Sequence, residues 1–287
     1  MSSYINTNLA ALQTQRNLST SQTAQQTAMS RLSSGLRVQS AKDDAAGFAI
    51  ASNMDSKIRG QNVAIRNAND AISLTQTADG AMSQIQSSLQ RMRELAVQAA
   101  NDTNTSEDRV SLNTEFSQLQ EEITRVTQNT KFNGQSLLSG AAADTSVAFS
   151  FQIGDSTGAN DTITININNM ATGAVAAATS SAITLGTDAA SATAASATAA
   201  IDAIDAALKS VNEAAIKDGA VQNRLTSVIS TLQVSVENQS AAKSRIMDAD
   251  FAAETANMSR GQILQQAGMA MLSQANQLPN GVMALLR

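Results

Sequence analysis

Three pairs of neighbouring carboxylates, Asp43/Asp44, Glu121/Glu122 and Asp248/Asp250, are spaced closely enough for chemistry. Such pairs can divide the roles of general acid and base, or share a hard cation. The remaining inventory argues against both. In 287 residues there is no histidine and no cysteine, which removes imidazole bases, thiolate nucleophiles, disulfides, iron–sulfur ligation and zinc sites built on nitrogen or sulfur. No glycine-rich phosphate loop occurs, and no serine stands in a nucleophile-elbow pattern with a base to serve it. Each acidic pair also has a plainer role. Asp43 and Asp44 precede a long helical pattern whose free N–H groups they can cap, and Glu121 and Glu122 lie beside the Leu119/Ile123 seam on a solvated face. No catalytic, cofactor-binding or metal-binding residue is therefore assigned, and the chain reads as a protein that is not an enzyme. Arg91, Arg93 and Glu94 form a charged cluster beside Leu89 and Leu95, which spacing alone makes a solvated helix face or a binding surface. A net charge of −5 without a Lys/Arg stripe excludes a nucleic-acid partner. No window of eighteen apolar residues offers a membrane span, and the opening residues carry no cleavable secretion signal.

The elements that would hold these side chains are helices. A chain of this length ordinarily carries about fourteen prolines, and this one has Pro279 alone. Aromatics make up only 2%, so the apolar mass is Ala, Leu, Ile, Val and Met, which suits narrow helix seams. From Asp44 to Ala99, Ile58, Ile65 and Ile72 stand seven apart while Met54, Ala68, Met82, Leu89 and Ala96 keep a second register of sevens. That pattern predicts one helix of roughly 80 Å. After the polar break Asn101–Ser106, Leu112, Phe116, Leu119, Ile123 and Val126 predict a second helix running back against it. A third begins near Ile201 and continues past Gly219 through Leu225, Ile229 and Leu232.

The two ends differ from this trunk. Residues 1–30 and 255–287 are patterned as helices through Ile5, Leu9 and Leu12 and through Leu264, Met271, Ala275 and Leu278. Their only charges are Arg16 at one end and Arg260 and Arg287 at the other. Without ion pairs such helices are marginal until a partner covers them. Residues 141–200 differ again: their charges are Asp144, Asp155, Asp161 and Asp188. Val147-Ala-Phe-Ser-Phe-Gln-Ile153 and Thr162-Ile-Thr-Ile-Asn-Ile167 alternate with period two around a turn-rich Gly154–Gly158, predicting a β-hairpin. The run 189–200 is low in complexity, and 141–200 reads as a surface excursion. The expected fold class is mainly α, a long antiparallel helical bundle and coiled coil formed by both chain ends, with a small β-hairpin insert. Marginal ends with uncovered apolar seams favour a structural assembly protein, because a contact between copies that does not close builds a helical filament.

Longer motifs sharpen this. Ile5-Asn-Thr-Asn-Leu-Ala10, Arg31-Leu-Ser-Ser-Gly-Leu-Arg37, Ala41-Lys-Asp-Asp-Ala-Ala-Gly47, Leu89-Gln-Arg-Met-Arg-Glu-Leu-Ala-Val-Gln98 and Phe132-Asn-Gly134 occupy the first half. Ser244-Arg-Ile-Met-Asp-Ala-Asp-Phe251, Gln262-Ile-Leu-Gln-Gln-Ala-Gly268 and Val282-Met-Ala-Leu-Leu-Arg287 close the chain. In these motifs, over about the first 140 and last 85 residues, the chain resembles the bacterial flagellins.

The resemblance implies a subunit that self-assembles into the helical flagellar filament for swimming motility, secreted and extracellular. It implies an inner coiled-coil domain of residues 1–43 and 244–287 lining the filament channel, and a helical-bundle domain of 44–140 and 201–243. The bundle would carry its β-hairpin in 141–170, with a small variable surface segment in 171–200. Polymerisation seams would run through Ile5, Leu9, Leu12, Leu264, Met271 and Leu278. The implied partners are further copies of the chain, hook–filament junction and cap proteins, and a chaperone of the type III export route at the C-terminal segment. Host receptors complete the set. Toll-like receptor 5 would read Leu89, Gln90, Arg91, Glu94, Leu95 and Glu115, and cytosolic inflammasome receptors would read Val282, Leu285, Leu286 and Arg287, where Met283 and Ala284 depart from the commoner Leu-Ser. Two other readings stand beside this one. A hook–filament junction protein shares the helical ends, although Ala-Asn-Gln-Leu-Pro279 and the final Leu-Leu-Arg287 favour a flagellin. A secreted adhesin or effector with a flagellin-like export region needs a larger middle domain than 141–200 supplies.

Overall fold

The computed structural model describes residues 7–141, 144–188 and 191–284, with side chains to Gln277 except that of Ala159. The described helices are α1 (Leu9–Ser34), α2 (Ala45–Ala99), α3 (Ser106–Asn129), the short α4 (Gly173–Ala178), α5 (Ala194–Met247) and α6 (Phe251–Ala284). The strands β1 (Lys131–Phe132) and β2 (Gln135–Ser136) form one small antiparallel pair, and β3 (Ser146–Gln152) and β4 (Thr162–Asn168) another. The chain divides into two compact units, Met1–Ile58 with Glu237–Arg287, and Arg59–Val236. The first unit thus takes in the opening turns of α2 and the closing turns of α5, which the sequence reading gave to the bundle.

Local chemistry sets the element ends. Asn8 caps α1 by accepting the Ala11 N–H at 3.0 Å, and Gly35, at φ 72°, closes that helix in the left-handed region. Asp44 accepts the Gly47 N–H at 3.0 Å to cap α2, while Asp43 closes the preceding turn on Gln39 and Ser40. Thr105 and Asp108 make a reciprocal box at the start of α3: the Thr105 hydroxyl accepts the Asp108 N–H, and the Asp108 carboxylate accepts the Thr105 N–H. Asp250 accepts from Ala252 and Ala253 at the start of α6. Of the paired acids, Asp44 and Asp250 are thus helix caps, Asp43 closes a turn, Asp248 accepts from the Ser244 hydroxyl, and Glu122 is held by Arg125 on its own helix.

In the second unit the heptad registers read from the sequence form the core. Ala68, Met82, Leu89 and Ala96 of α2 meet Phe116 and Ile123 of α3 and Ile204, Val211 and Leu225 of α5. Ile65 and Ile72, in the parallel register, lie half-buried at its margin. The hairpin pairs in full register from Ser146 opposite Asn168 to Gln152 opposite Thr162, and Ile163, Ile165 and Ile167 of β4 enter the same core.

The reading of 141–200 as a surface excursion is corrected. Val175 and Ala178 of α4, Leu185 in the following strap, and Ala197 and Ala200 in the low-complexity run are all buried. That run begins α5 seven residues before Ile201. Three side chains of α3 pin the strap. Gln120 Nε2 donates to the carbonyls of Ala178 and Ile183 at 3.0 and 2.9 Å, Asn113 Oδ1 accepts the Leu185 N–H, and Arg109 reaches the Ala192 carbonyl.

Candidate assembly surface

In the first unit α1 and α6 run antiparallel along one another. The Asn8 amide donates to the Ala275 carbonyl at 2.8 Å at one end, and Arg31 pairs with Glu254 at 3.0 Å at the other. The covered positions recur at steps of three and four. On α1 they are Asn8, Ala11, Thr14, Leu18, Ser21, Gln25, Ala28 and Arg31; on α6 they are Glu254, Met258, Gly261, Gln265, Gly268, Leu272 and Ala275. This is the spacing of a coiled-coil seam, but most of its members are small or polar, with Leu18, Met258 and Leu272 the large apolar ones among them. A Cβ added at Gly261 would stand 3.1 Å from the Gln25 side chain, and one at Gly268 3.2 Å from that of Leu18. The two backbones approach closely because these positions are empty.

Below the seam the chain is laced to itself. Arg37 N–H donates to the Met247 carbonyl at 2.6 Å and its guanidinium to that of Ile246 at 2.8 Å; Ala249 N–H donates to Gly35. Lys243 on the last turns of α5 pairs with Asp55 on α2.

Most of the large apolar side chains of the two helices lie outside this seam. Leu9, Leu12, Ile263, Leu264, Met269 and Met271 are each exposed to half or more. The sequence placed apolar seams at Leu9, Leu12, Leu264 and Met271; these side chains take no part in the intramolecular seam and form an uncovered apolar surface on both helices. Ile5 lies outside the described residues, and so does the side chain of Leu278. The sequence pairs the two chain ends as expected, but hydropathy pointed to the wrong residues for the seam between them. The signal that could have found it is the unbroken four-three step from Glu254 to Ala275, read for size instead.

The residues matched to the Toll-like receptor motif lie in the second unit. Arg91 Nε donates to Glu115 at 2.8 Å and its Nη1 to Glu94 at 2.9 Å, so Glu115 first and Glu94 second raise the guanidinium above its ordinary value and keep it charged. Gln90 is exposed beside them, and Arg93 is held by Asp205 across on α5. Leu89 and Leu95 do not belong to this surface. Both are fully buried, because they occupy the α2 seam positions that face the core. Val282 lies in the backbone of α6, its side chain outside the described residues together with all of Leu285, Leu286 and Arg287. Arg109, not singled out by its sequence, is a buried cation whose guanidinium donates to the Ala99 and Asn101 carbonyls at the C-terminus of α2.

Against known proteins, a family profile described as the bacterial flagellin N-terminal helical region matches residues 5–143, and one described as the C-terminal helical region matches 201–286. The flagellin of Halalkalibacterium halodurans is 46% identical over 284 residues, covering 99% of each chain. That of Bacillus subtilis (strain 168) is 43% identical over 305 residues, again covering 99% of each. Among solved structures, a putative flagellar hook-associated protein from Vibrio parahaemolyticus shares the fold at a TM-score of 0.57 with 15% identity, over 72% of this chain and all of that one.

Proposed function

Because this chain belongs to the bacterial flagellin family, and so is a self-assembling structural subunit of the extracellular flagellar filament and not an enzyme, we propose that α1 and α6 form its inner, channel-lining layer. The observation that carries this is the apolar surface of Leu9, Leu12, Ile263, Leu264, Met269 and Met271, which stays exposed outside the seam by which the two helices pair with one another. Exposed aliphatic groups at this density on weakly charged helices are covered by burial against neighbouring copies. The arrangement that follows is heterologous and open, so it propagates as a filament and serves swimming motility.

The partners implied by the motifs attach to the same elements. Hook–filament junction and cap proteins meet the terminal helices at the filament ends, and an export chaperone holds the C-terminal segment before assembly. Toll-like receptor 5 reads Gln90, Arg91, Glu94 and Glu115 on the free subunit, while Leu89 and Leu95 hold α2 in place beneath them. Cytosolic inflammasome receptors read Val282, Leu285, Leu286 and Arg287.

The test is electron microscopy of purified chain, heat-dissociated and then seeded with short filament fragments. Long tubes growing from the seeds, with α-helical content rising as they grow, support the reading. A sample that stays monomeric at every salt concentration overturns it and moves a junction role ahead.

A further inference from the structure

The α2–α5 seam of the second unit is made almost wholly of small and aliphatic side chains. Ala71, Ala78 and Met82 on α2 and Ala207, Val211, Ala214 and Leu225 on α5 are buried. Along α5 these positions advance by steps of three and four, and the step after Ala214 falls on Asp218, which is 2% exposed. The pairs Gln61 with Ser235, Gln86 with Asn212 and Arg93 with Asp205 fix the antiparallel register, and that register sets Asp218 level with Ala78, Asp79 and Gly80. Its Oδ2 is enclosed and has no hydrogen-bond partner. Two charged groups bear on it: Asp79 across on α2, a like charge, and Lys217 on its own helix, whose opposing effect is the weakest of the influences.

An ionised carboxylate in such a seam is costly, because neither a counter-ion nor a full set of donors replaces the water it has lost. The least costly response is to keep the proton. Burial first, and Asp79 second, push the carboxyl up to about 6 from an ordinary value of 3.8.

We propose that Asp218 is a proton-operated latch in the helical trunk: protonated, it lets α2 and α5 close on it as an apolar seam, and ionised, it loosens that seam by drawing water to its Oδ2. The direction follows from linkage. A carboxyl that binds its proton more tightly in the folded chain than in the unfolded one adds its full stabilisation below about 3.8 and loses it as pH rises through about 6. The capping acids Asp43 and Asp108 work the opposite way. Hydrogen bonds from Ser40 and Gln39, and from Thr105, hold them below the ordinary range, so their contribution is lost as pH falls. Between these limits, in mildly acidic medium, the caps are intact and the latch is closed.

Hydrogen exchange of the full-length monomer tests this. Protection of amides in residues 72–86 and 211–225, corrected for the intrinsic pH dependence of exchange, is expected to fall by as much as ~10-fold between pH 5 and 7.5. In Asp218→Asn, and in Asp218→Leu as an apolar replacement, protection stays level across the same range. Asp79→Asn moves the midpoint of the wild-type curve to lower pH. A carbon-13 titration of the Asp218 carboxyl gives the midpoint directly, with about 6 expected. Protection that is level in the wild type, a fall that persists in both Asp218 variants, or a carboxyl midpoint near 3.8 would each overturn the proposal.

Discussion

Removing the outer apolar groups of α6 while leaving its seam intact separates assembly from folding. Leu264 is 50% exposed and Met271 61% exposed, and neither belongs to the α1–α6 seam. Complete burial of a Leu or Met side chain is worth about 1.5–3 kcal/mol. The uncovered fractions therefore hold about 1 kcal/mol for each residue, to be realised only when a neighbouring copy covers them. The two lie seven residues apart, about 10 Å along the helix, far enough for their effects to add. The double variant Leu264→Ala, Met271→Ala should then lose about 2 kcal/mol of subunit-addition free energy, which raises the critical concentration about 30-fold. The assay is sedimentation of filaments grown to plateau on wild-type seeds, with the monomer left in the supernatant measured against the wild type. Circular dichroism and the melting midpoint of the dissociated monomer should not change. A critical concentration within twofold of wild type, in a variant that melts like the wild type, would refute the idea that this face is covered in the filament. Lost helicity in the free monomer would show instead that the two side chains support the helix pair itself.

Arg109→Ala leaves the carbonyls of Ala99, Asn101 and Ala192 without their shared donor and should lower stability by about 3 kcal/mol in urea titration, with Lys restoring only part of it because an ammonium cannot span the three. Thr105→Ala opens the box at the start of α3 and should cost about 1 kcal/mol in the same titration. Arg91→Ala should abolish Toll-like receptor signalling in reporter cells with the melting midpoint unchanged, whereas Leu89→Ala should first destabilise the trunk by about 2–5 kcal/mol; an undiminished response from Arg91→Ala would remove that surface from the proposal. Gly186→Ala should disrupt the strap, since its φ of 124° is a left-handed value and an added Cβ would collide with the Ala192 backbone.

The long helices were legible because their cores repeat. Met82 and Leu89, and Phe116 and Ile123, are large enough and regular enough for their period to show in a single sequence. The hairpin was legible for the same reason at period two, through Ile163, Ile165 and Ile167. What stayed hidden was held by side chains acting at a distance. Val175, Ala178 and Leu185 follow no period, and their strap is fixed by Gln120, Asn113 and Arg109 from 58 to 83 residues away, a relation no local pattern carries. The pairing of the chain ends was expected, but the residues of its seam escaped for a different reason. Gly261, Gly268 and Ala28 contribute by what they lack, and a hydropathy reading gives an absent side chain little weight. At the Arg91 cluster the charges could be assigned from sequence, and the seven-residue register already set Leu89 in the seam, but whether Leu95 faced solvent depended on where α3 and α5 would lie.

The seam between α1 and α6 also imposes an order in time. Asn8 bonds to Ala275 and Arg31 to Glu254, pairs 267 and 223 residues apart. Contacts of such span are the slowest to find in a folding chain, and during synthesis α1 emerges with no partner until the final helix has been made. A product truncated before Phe251 keeps every residue of the second unit yet can never close this seam. Pairing the first helix with the last therefore acts as a check on synthesis: only a chain made through Ala275 can present both helices side by side.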